Sequence, residues 1–239
     1  MISTIGTPET GKVHGDAAKT LVIIAAKNEA KGVGSTVRDV KDHLNGSRIL
    51  VVDGHSSDNT IRIAKDEGAE ILIQSGLGKG QAIGDAVEAI DADAEYVVFM
   101  DADFTYPAEF VPQMIQQLEA NPHLGMVCGN RFNGHFKLKA MHNILYFGNR
   151  ALAFTHNLFN GVAMRDPLTG LRVIRAKILR GWYPKSQGFD VEVEMNHLVE
   201  NKGYGIAEIP IYYRIRQGVK KLSIKDGFRI LRRILKESF

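Results

Sequence analysis

Apolar residues in this chain come in short unbroken runs, and between the runs they recur every three or four positions. LVIIAA (Leu21–Ala26), RILVVD (Arg48–Asp53), AEILIQ (Ala69–Gln74), AEYVVFMD (Ala94–Asp101) and GMVCGN (Gly125–Asn130) are the runs. A short, continuous, β-branched run bounded by polar residues suits a strand buried on both faces. The stretches between them predict helices over about Gly34–Leu44, Asn59–Glu67, Gly80–Ile90 and Pro107–Ala120. Strands alternating with helices imply an α/β fold, with a mostly parallel central sheet and helices on both faces. No repeat of fixed period interrupts this order.

The pattern changes after Arg131. HFKLKAMHNILYFGNRALAFTHNLF reads as one or two helices rich in apolar and aromatic residues, centred on Leu138–Phe159, and RDPLTGLRVIRA as a turn and strand. YPKSQGFDVEVEMNHLVENKG supplies another helix and AEIPIYYRIR a final strand. The closing stretch sets Ile224, Phe228, Leu231 and Leu235 on one helical face with basic residues around the rest. The first 18 residues carry Gly, Thr and Pro without periodicity and are expected to form a flexible leader before a single domain over 19–239.

Composition bounds the class. Apolar residues make up 44% and charged residues 24%, which is ordinary for a globular chain. No apolar run approaches the roughly 20 residues that span a bilayer, the N-terminus has no signal-peptide pattern, and the one cysteine, Cys128, has no partner for a disulfide. A cytoplasmic protein is expected. The net charge of +3 hides an asymmetry: from Arg214 to Phe239, nine cationic side chains face only Asp226 and Glu237, a local +7 against −4 for the rest. A basic tail of this kind suits an anionic partner. With its amphipathic face, the tail suits a membrane surface at the cytoplasmic side rather than nucleic acid.

In open sheets of this type ligands bind beyond the carboxyl ends of the strands. The unusual polar motifs fall there: AAKNEA, VDGHSSDNT, QSGLGKGQA and MDADFTYP. In the last, Asp101 and Asp103 are two apart at the end of an apolar strand, where side chains at i and i+2 share a face. One could cap the next helix while the other is solvated. The costly double charge is instead expected to hold a hard divalent cation, Mg²⁺ or Mn²⁺, which takes carboxylate oxygens and shares them with phosphates.

DADFT matches the nucleophile motif of DxDxT phosphatases, although three strand–helix units precede it here. The whole order of blocks more closely resembles the inverting family 2 glycosyltransferases of the GT-A fold, in particular the dolichyl (polyprenyl) phosphate mannose and glucose synthases. AAKNEA, VVDGHSSDNT, GLGKGQAIGDAV, DAD, GNR, DPLTGLRVI, GFDVEVEM and EIPIYYRIRQGVKKLS carry that resemblance from about Leu21 to Leu235. It implies a nucleotide-sugar-binding half over 19–131 and an acceptor and membrane-surface half over 132–239. The expected nucleotide contacts are Ala25, Asn28, Glu29, Asp53, Gly78, Lys79, Asp101 and Ala102, with Gly78 and Gly80 letting backbone approach the nucleotide and Asp58 capping a helix. Asp101 and Asp103 would hold the metal. Arg131, Lys220 and Lys221 would grip the acceptor phosphate, and Asp103, Arg131 and either Arg214 or Arg216 would act in catalysis.

The activity implied is transfer of a hexose, with inversion and metal dependence, from GDP-mannose or a UDP-sugar to dolichyl or polyprenyl phosphate. A membrane-anchoring partner subunit fits that picture. A family member with a soluble or polysaccharide acceptor is the alternative. The chain departs from the family pattern at Ala25, Lys27, His55 and Thr105. Asp190, Glu192 and Glu194 could pair with the arginines, orient the sugar, or form a solvated helix face.

Overall fold

A computed structural model describes residues 19–132, Thr155, 164–219, Lys221 and 224–237. The leader, the helices centred on Leu138–Phe159 and Lys220 lie outside the described residues. In chain order the elements are β1 (Thr20–Ala26), α1 (Val33–His43), β2 (Arg48–Asp53), α2 (Thr60–Asp66), β3 (Glu70–Ile73), α3 (Lys79–Glu88) and β4 (Tyr96–Asp101). A 3-10 turn (Ala108–Phe110) leads into α4 (Val111–Ala120). Then come β5 (Leu124–Asn130), β6 (Arg172–Arg175), α5 (Ala176–Leu179), α6 (Val191–Asn201), β7 (Gly205–Pro210) and α7 (Ile224–Glu237).

The seven strands form one sheet in the order β3-β2-β1-β4-β6-β5-β7. All run parallel except β6, which pairs antiparallel with both β4 and β5. Strand alternation explains why the runs are apolar throughout. On β1, Val22 and Ile24 pack with Val33, Val37, Val40 and Met114 on one face, while Leu21 and Ile23 pack with Ile83, Val87 and Met195 on the other. Truncating such a fully buried aliphatic to Ala costs about 2–5 kcal/mol.

Helix α1 leads from β1 to β2, whereas β4 joins the opposite side of β1. Strand order therefore reverses between β1 and β4. At such a switch point the flanking loops part and leave a crevice beyond the strand ends.

The final expected strand is shorter than AEIPIYYRIR suggests. β7 ends at Pro210, and the following segment crosses the strand ends, where the Arg214 N–H donates to the Thr105 carbonyl at 2.9 Å and the Gln217 N–H to the Asp103 carbonyl at 3.0 Å. On α7 the packed face is Ile230 and Ile234 against Val193, with Leu168 and Phe189 beside them. Phe228 and Leu235, from the face the sequence marks as apolar, stay exposed.

Candidate active site

The register places Ala25 opposite Asp101 and Ala26 opposite Asp53, so β1, β2 and β4 end side by side. Just beyond each end the backbone turns through a left-handed residue: Asn28 (φ 50°), His55 (φ 60°) and Phe104 (φ 64°). That conformation costs a non-glycine residue about 1–3 kcal/mol. Local hydrogen bonds offset it. The Asn28 N–H donates to Ser56 Oγ and its Oδ1 accepts the Ser57 N–H, both at 2.8 Å, while the Phe104 N–H donates to Thr36 Oγ1 at 3.0 Å.

A pocket of about 250 Å³ opens above these ends, with Ala25, Glu29, Lys79, Asp101, Asp103 and Arg216 in its wall. Its ionic groups are paired across long sequence distances. Lys79 Nζ donates at 2.7 Å to both Asp101 Oδ1 and Glu192 Oε1, and Arg216 pairs with Asp103. Lys221 pairs with Glu29. The two aspartates are therefore neutralised in part by protein cations. Protein cations thus stand beside the pair that is expected to hold a divalent ion.

The two carboxyls differ in their environment. Burial pushes Asp101 up, but Lys79, with help from Arg216 and Arg131, outweighs burial and holds it below the usual carboxylate range. Burial and the neighbouring Asp101 charge raise Asp103 despite its Thr105 hydrogen bonds and Arg216. Buried oxygens of Glu29 (Oε2), Asp53 (Oδ1) and Glu192 (Oε2) have no hydrogen-bond partner among the described residues. The region is short of positive charge and of donors, which suits a cationic ligand component and a ligand rich in hydroxyl or N–H groups.

Of the other expected nucleotide contacts, Gly78 and Ala102 also line the pocket. Asn28 instead builds the loop. Asp53 is fully buried, its Oδ2 accepting the Ser56 N–H at 2.8 Å, and Gly54 and Gln74 face the pocket beside it. The glycines of the GKG loop serve packing: a Cβ at Gly78 would stand 2.0 Å from the Gln187 carbonyl oxygen, and one at Gly80 1.8 Å from that of Ser186. Asp58 accepts the Thr60 N–H at 3.0 Å at the start of α2 and the Ala30 N–H at 3.2 Å.

The basic segment separates its two arginines. Arg216 faces the pocket, whereas Arg214 makes two hydrogen bonds to Asp39, at 2.7 and 3.1 Å, and lies 4.4 Å over the Phe104 ring. Arg131, expected to grip the acceptor phosphate, is held by Asp166 through Nε at 2.7 Å and Nη2 at 2.8 Å, and the same carboxylate accepts the Arg131 N–H. Tyr106, Phe132 and Tyr213 rings surround its guanidinium at 5.5–5.9 Å. Arg131 is thus paired with Asp166 and stands outside the wall of the pocket that Lys79 and Arg216 line.

Sequence reading missed Phe189, whose ring lies 5.8 Å from Lys79 Nζ, and Gln74. It also missed Asp39, although an aspartate among the buried residues of α1 signals a buried partner. Glu192 pairs with a lysine rather than with an arginine.

The model of the family described as "Glycosyl transferase family 2" matches residues 21–182. The chain belongs to that family. This family 2 chain is 32% identical over 203 residues to the dolichyl-phosphate hexose transferase of Haloferax volcanii, covering 84% of this chain and 85% of the relative. It is 33% identical to glycosyltransferase AglJ of the same organism over 80% of its length, and spans 62% of that longer relative. The dolichol-phosphate mannosyltransferase of Pyrococcus furiosus is 26% identical over 90% of this chain and 62% of its own length.

Among solved structures, glucosyl-3-phosphoglycerate synthase of Mycobacterium tuberculosis, crystallised with Mn²⁺, UDP-glucose and glycerol 3-phosphate, superposes with a TM-score of 0.76. The match covers 98% of this chain and 87% of that one at 19% identity, which establishes the GT-A fold. The family match also disposes of the DxDxT phosphatase: DADFT stands at the end of a fourth strand, in a family 2 frame. No helix of the described residues is long and apolar enough to cross a membrane.

Proposed function

We propose that this family 2 chain transfers a hexose, with inversion, from a nucleoside diphosphate sugar to polyprenyl or dolichyl phosphate. The observation that carries the reading is the cluster at the switch point, where Lys79 and Arg216 each hold one of two neighbouring aspartates at a pocket wall. The relatives that act on dolichyl phosphate supply the acceptor class. In this reading 19–131 binds donor and 132–239 meets the acceptor at a bilayer surface.

Among the described residues no group of three or more His, Cys, Asp or Glu forms a closed metal site. Two carboxylates beside a cavity, one of them raised by burial and by its neighbour's charge, nevertheless fit a Mg²⁺ or Mn²⁺ ion shared with a diphosphate. Asp101 and Asp103 would hold it, and when bound it supplies charge to offset the departing nucleoside diphosphate.

The chain's own residues do the rest. Lys79 and Arg216, at the same pocket wall, would pair with diphosphate oxygens, charge-assisted contacts that strengthen as the leaving group gains charge. The orphaned Glu29 and Asp53 oxygens accept from hydroxyl or base N–H groups and so orient the donor. A phosphate acceptor is already anionic at neutral pH, so its oxygen attacks the anomeric carbon without a protein base. Positioning and charge compensation suffice. Lys221, paired with Glu29 at the pocket wall, would meet the acceptor phosphate in this reading.

The test is incubation with radiolabelled GDP-mannose, UDP-glucose or UDP-N-acetylglucosamine, dolichyl phosphate and Mn²⁺. Label partitioning into the organic phase from one donor is expected. Label found only in soluble glycosides would replace the lipid acceptor with a soluble one, and none in either phase would count against transfer altogether.

A further inference from the structure

The segment 185–190 borders the donor pocket through Phe189 and also borders a second cleft, of about 320 Å³, that the transfer reaction does not use. Lys185, Asp190, Arg229, Arg232, Arg233 and Lys236 line it. The four helix residues stand at i, i+3, i+4 and i+7 of α7 and so share one face. Arg233 is neutralised, with Nε 3.0 Å from Asp190 Oδ2 and Nη1 3.0 Å from Glu237 Oε1. Arg229 reaches Asp226 only at 3.7 Å.

The side chains of Lys185, Arg232 and Lys236 have no hydrogen-bond or ion-pair partner among the described residues. Three unpaired cations therefore converge on a concave surface whose one lining carboxylate is already engaged. Mutual repulsion makes the empty cleft unfavourable, and an anion with several oxygens relieves it. Beside this face Phe228 and Leu235 remain 69% and 39% exposed, an apolar flank next to the cations.

We infer that the cleft is a second anion site that takes a phosphate monoester or diester, separate from the donor pocket. Inorganic phosphate and the headgroup of an anionic lipid both offer that chemistry. The proposal rests on no step of the transfer reaction, and it is read without donor or acceptor, so its failure and a failure of the transferase reading are distinguishable.

The full chain is tested by cosedimentation with phosphatidylcholine vesicles, with and without about 30% phosphatidylglycerol, and by calorimetric titration with inorganic phosphate. The variants are Arg232→Glu/Lys236→Glu on the helix and Lys185→Glu across the cleft, with thermal melts as a check of folding. Binding to phosphatidylglycerol vesicles that falls at least about tenfold in the helix variant, and several-fold in Lys185→Glu, is expected at about 1 kcal/mol per basic residue near a charged surface. Binding of vesicles alone assigns the site to a lipid headgroup, and saturable binding of inorganic phosphate, lost in both variants, assigns it to a soluble phosphate. Folded variants that bind both probes like the unaltered chain would overturn the proposal, as would an unaltered chain that binds neither.

Discussion

Two aspartate–cation clusters stand on this sheet, built from the same residue types, and they differ in what is left open. Arg131 and Asp166 form a closed pair: two guanidinium bonds, a backbone bond to the same carboxylate, three aromatic rings around the charge and an Asp166 side chain only 1% exposed. Lys79, Arg216, Asp101 and Asp103 form an open cluster, in which each aspartate has a cation and also faces a cavity, with an orphaned Glu192 oxygen beside Lys79. The closed pair holds β5 to the 166–170 loop, and its guanidinium also helps lower Asp101. The open cluster can exchange partners, and that is the capacity a diphosphate-binding site needs.

The sharpest way to break this comparison is to remove one partner from each cluster. Asp166→Ala leaves a buried, unpaired guanidinium and is expected to cost about 3–5 kcal/mol of stability, seen as a lowered denaturant midpoint. Asp103→Asn should leave the melting temperature within a few degrees while lowering kcat for hexose transfer about 10²–10³-fold. If the two variants swap phenotypes, the distinction between closed and open clusters is wrong.

A finer cut separates the arginines of the basic segment. Arg216→Ala is expected to lower kcat about 10–100-fold with little effect on unfolding, because Arg216 faces the pocket. Arg214→Ala should instead cost about 1–3 kcal/mol of stability through the loss of its bonds to Asp39, with kcat nearly unchanged. Steady-state kinetics and urea melts on the same preparations read both.

The smallest effect comes from a carboxyl outside either cluster. Burial pushes Glu200 on α6 up to about 7, and its Oε1 has no hydrogen-bond partner among the described residues. A carboxyl raised on folding favours the folded state below its unfolded value of 4.5, and that advantage is lost as pH rises through about 7. Glu200→Gln should therefore gain up to about 1 kcal/mol at pH 8, discounted for its partial exposure, and nothing near pH 4. Melts across pH check the sign.

Much of the fold is legible in the chain because local rules decide it. LVIIAA, RILVVD and YVVFMD are continuous apolar runs, and each is a strand buried on both faces. The polar motifs at their ends gather because a parallel sheet puts all its carboxyl ends on one side. The partners of those motifs are another matter. Lys79 meets Glu192, Arg214 meets Asp39 and Lys221 meets Glu29 across 113, 175 and 192 residues, and no local pattern encodes such pairs.

The reversal of β6 was equally hidden, since RVIR, two apolar residues between two arginines, shows the same pattern in either direction. The amphipathic tail misleads in its own way. Ile224, Phe228, Leu231 and Leu235 make the apolar stripe, yet the face that packs is Ile230, Arg233 and Ile234. Asp190, Glu194 and Glu237 make a buried arginine affordable there.

The exchange of partners at Asp101 and Asp103 is tested most directly by the electron paramagnetic resonance of Mn²⁺ titrated into the full chain with a nucleoside diphosphate. The expected result is a bound-ion signal that appears with the nucleotide and disappears in Asp101→Asn and Asp103→Asn. A signal of equal strength in both variants, or none in the unaltered chain, would contradict it.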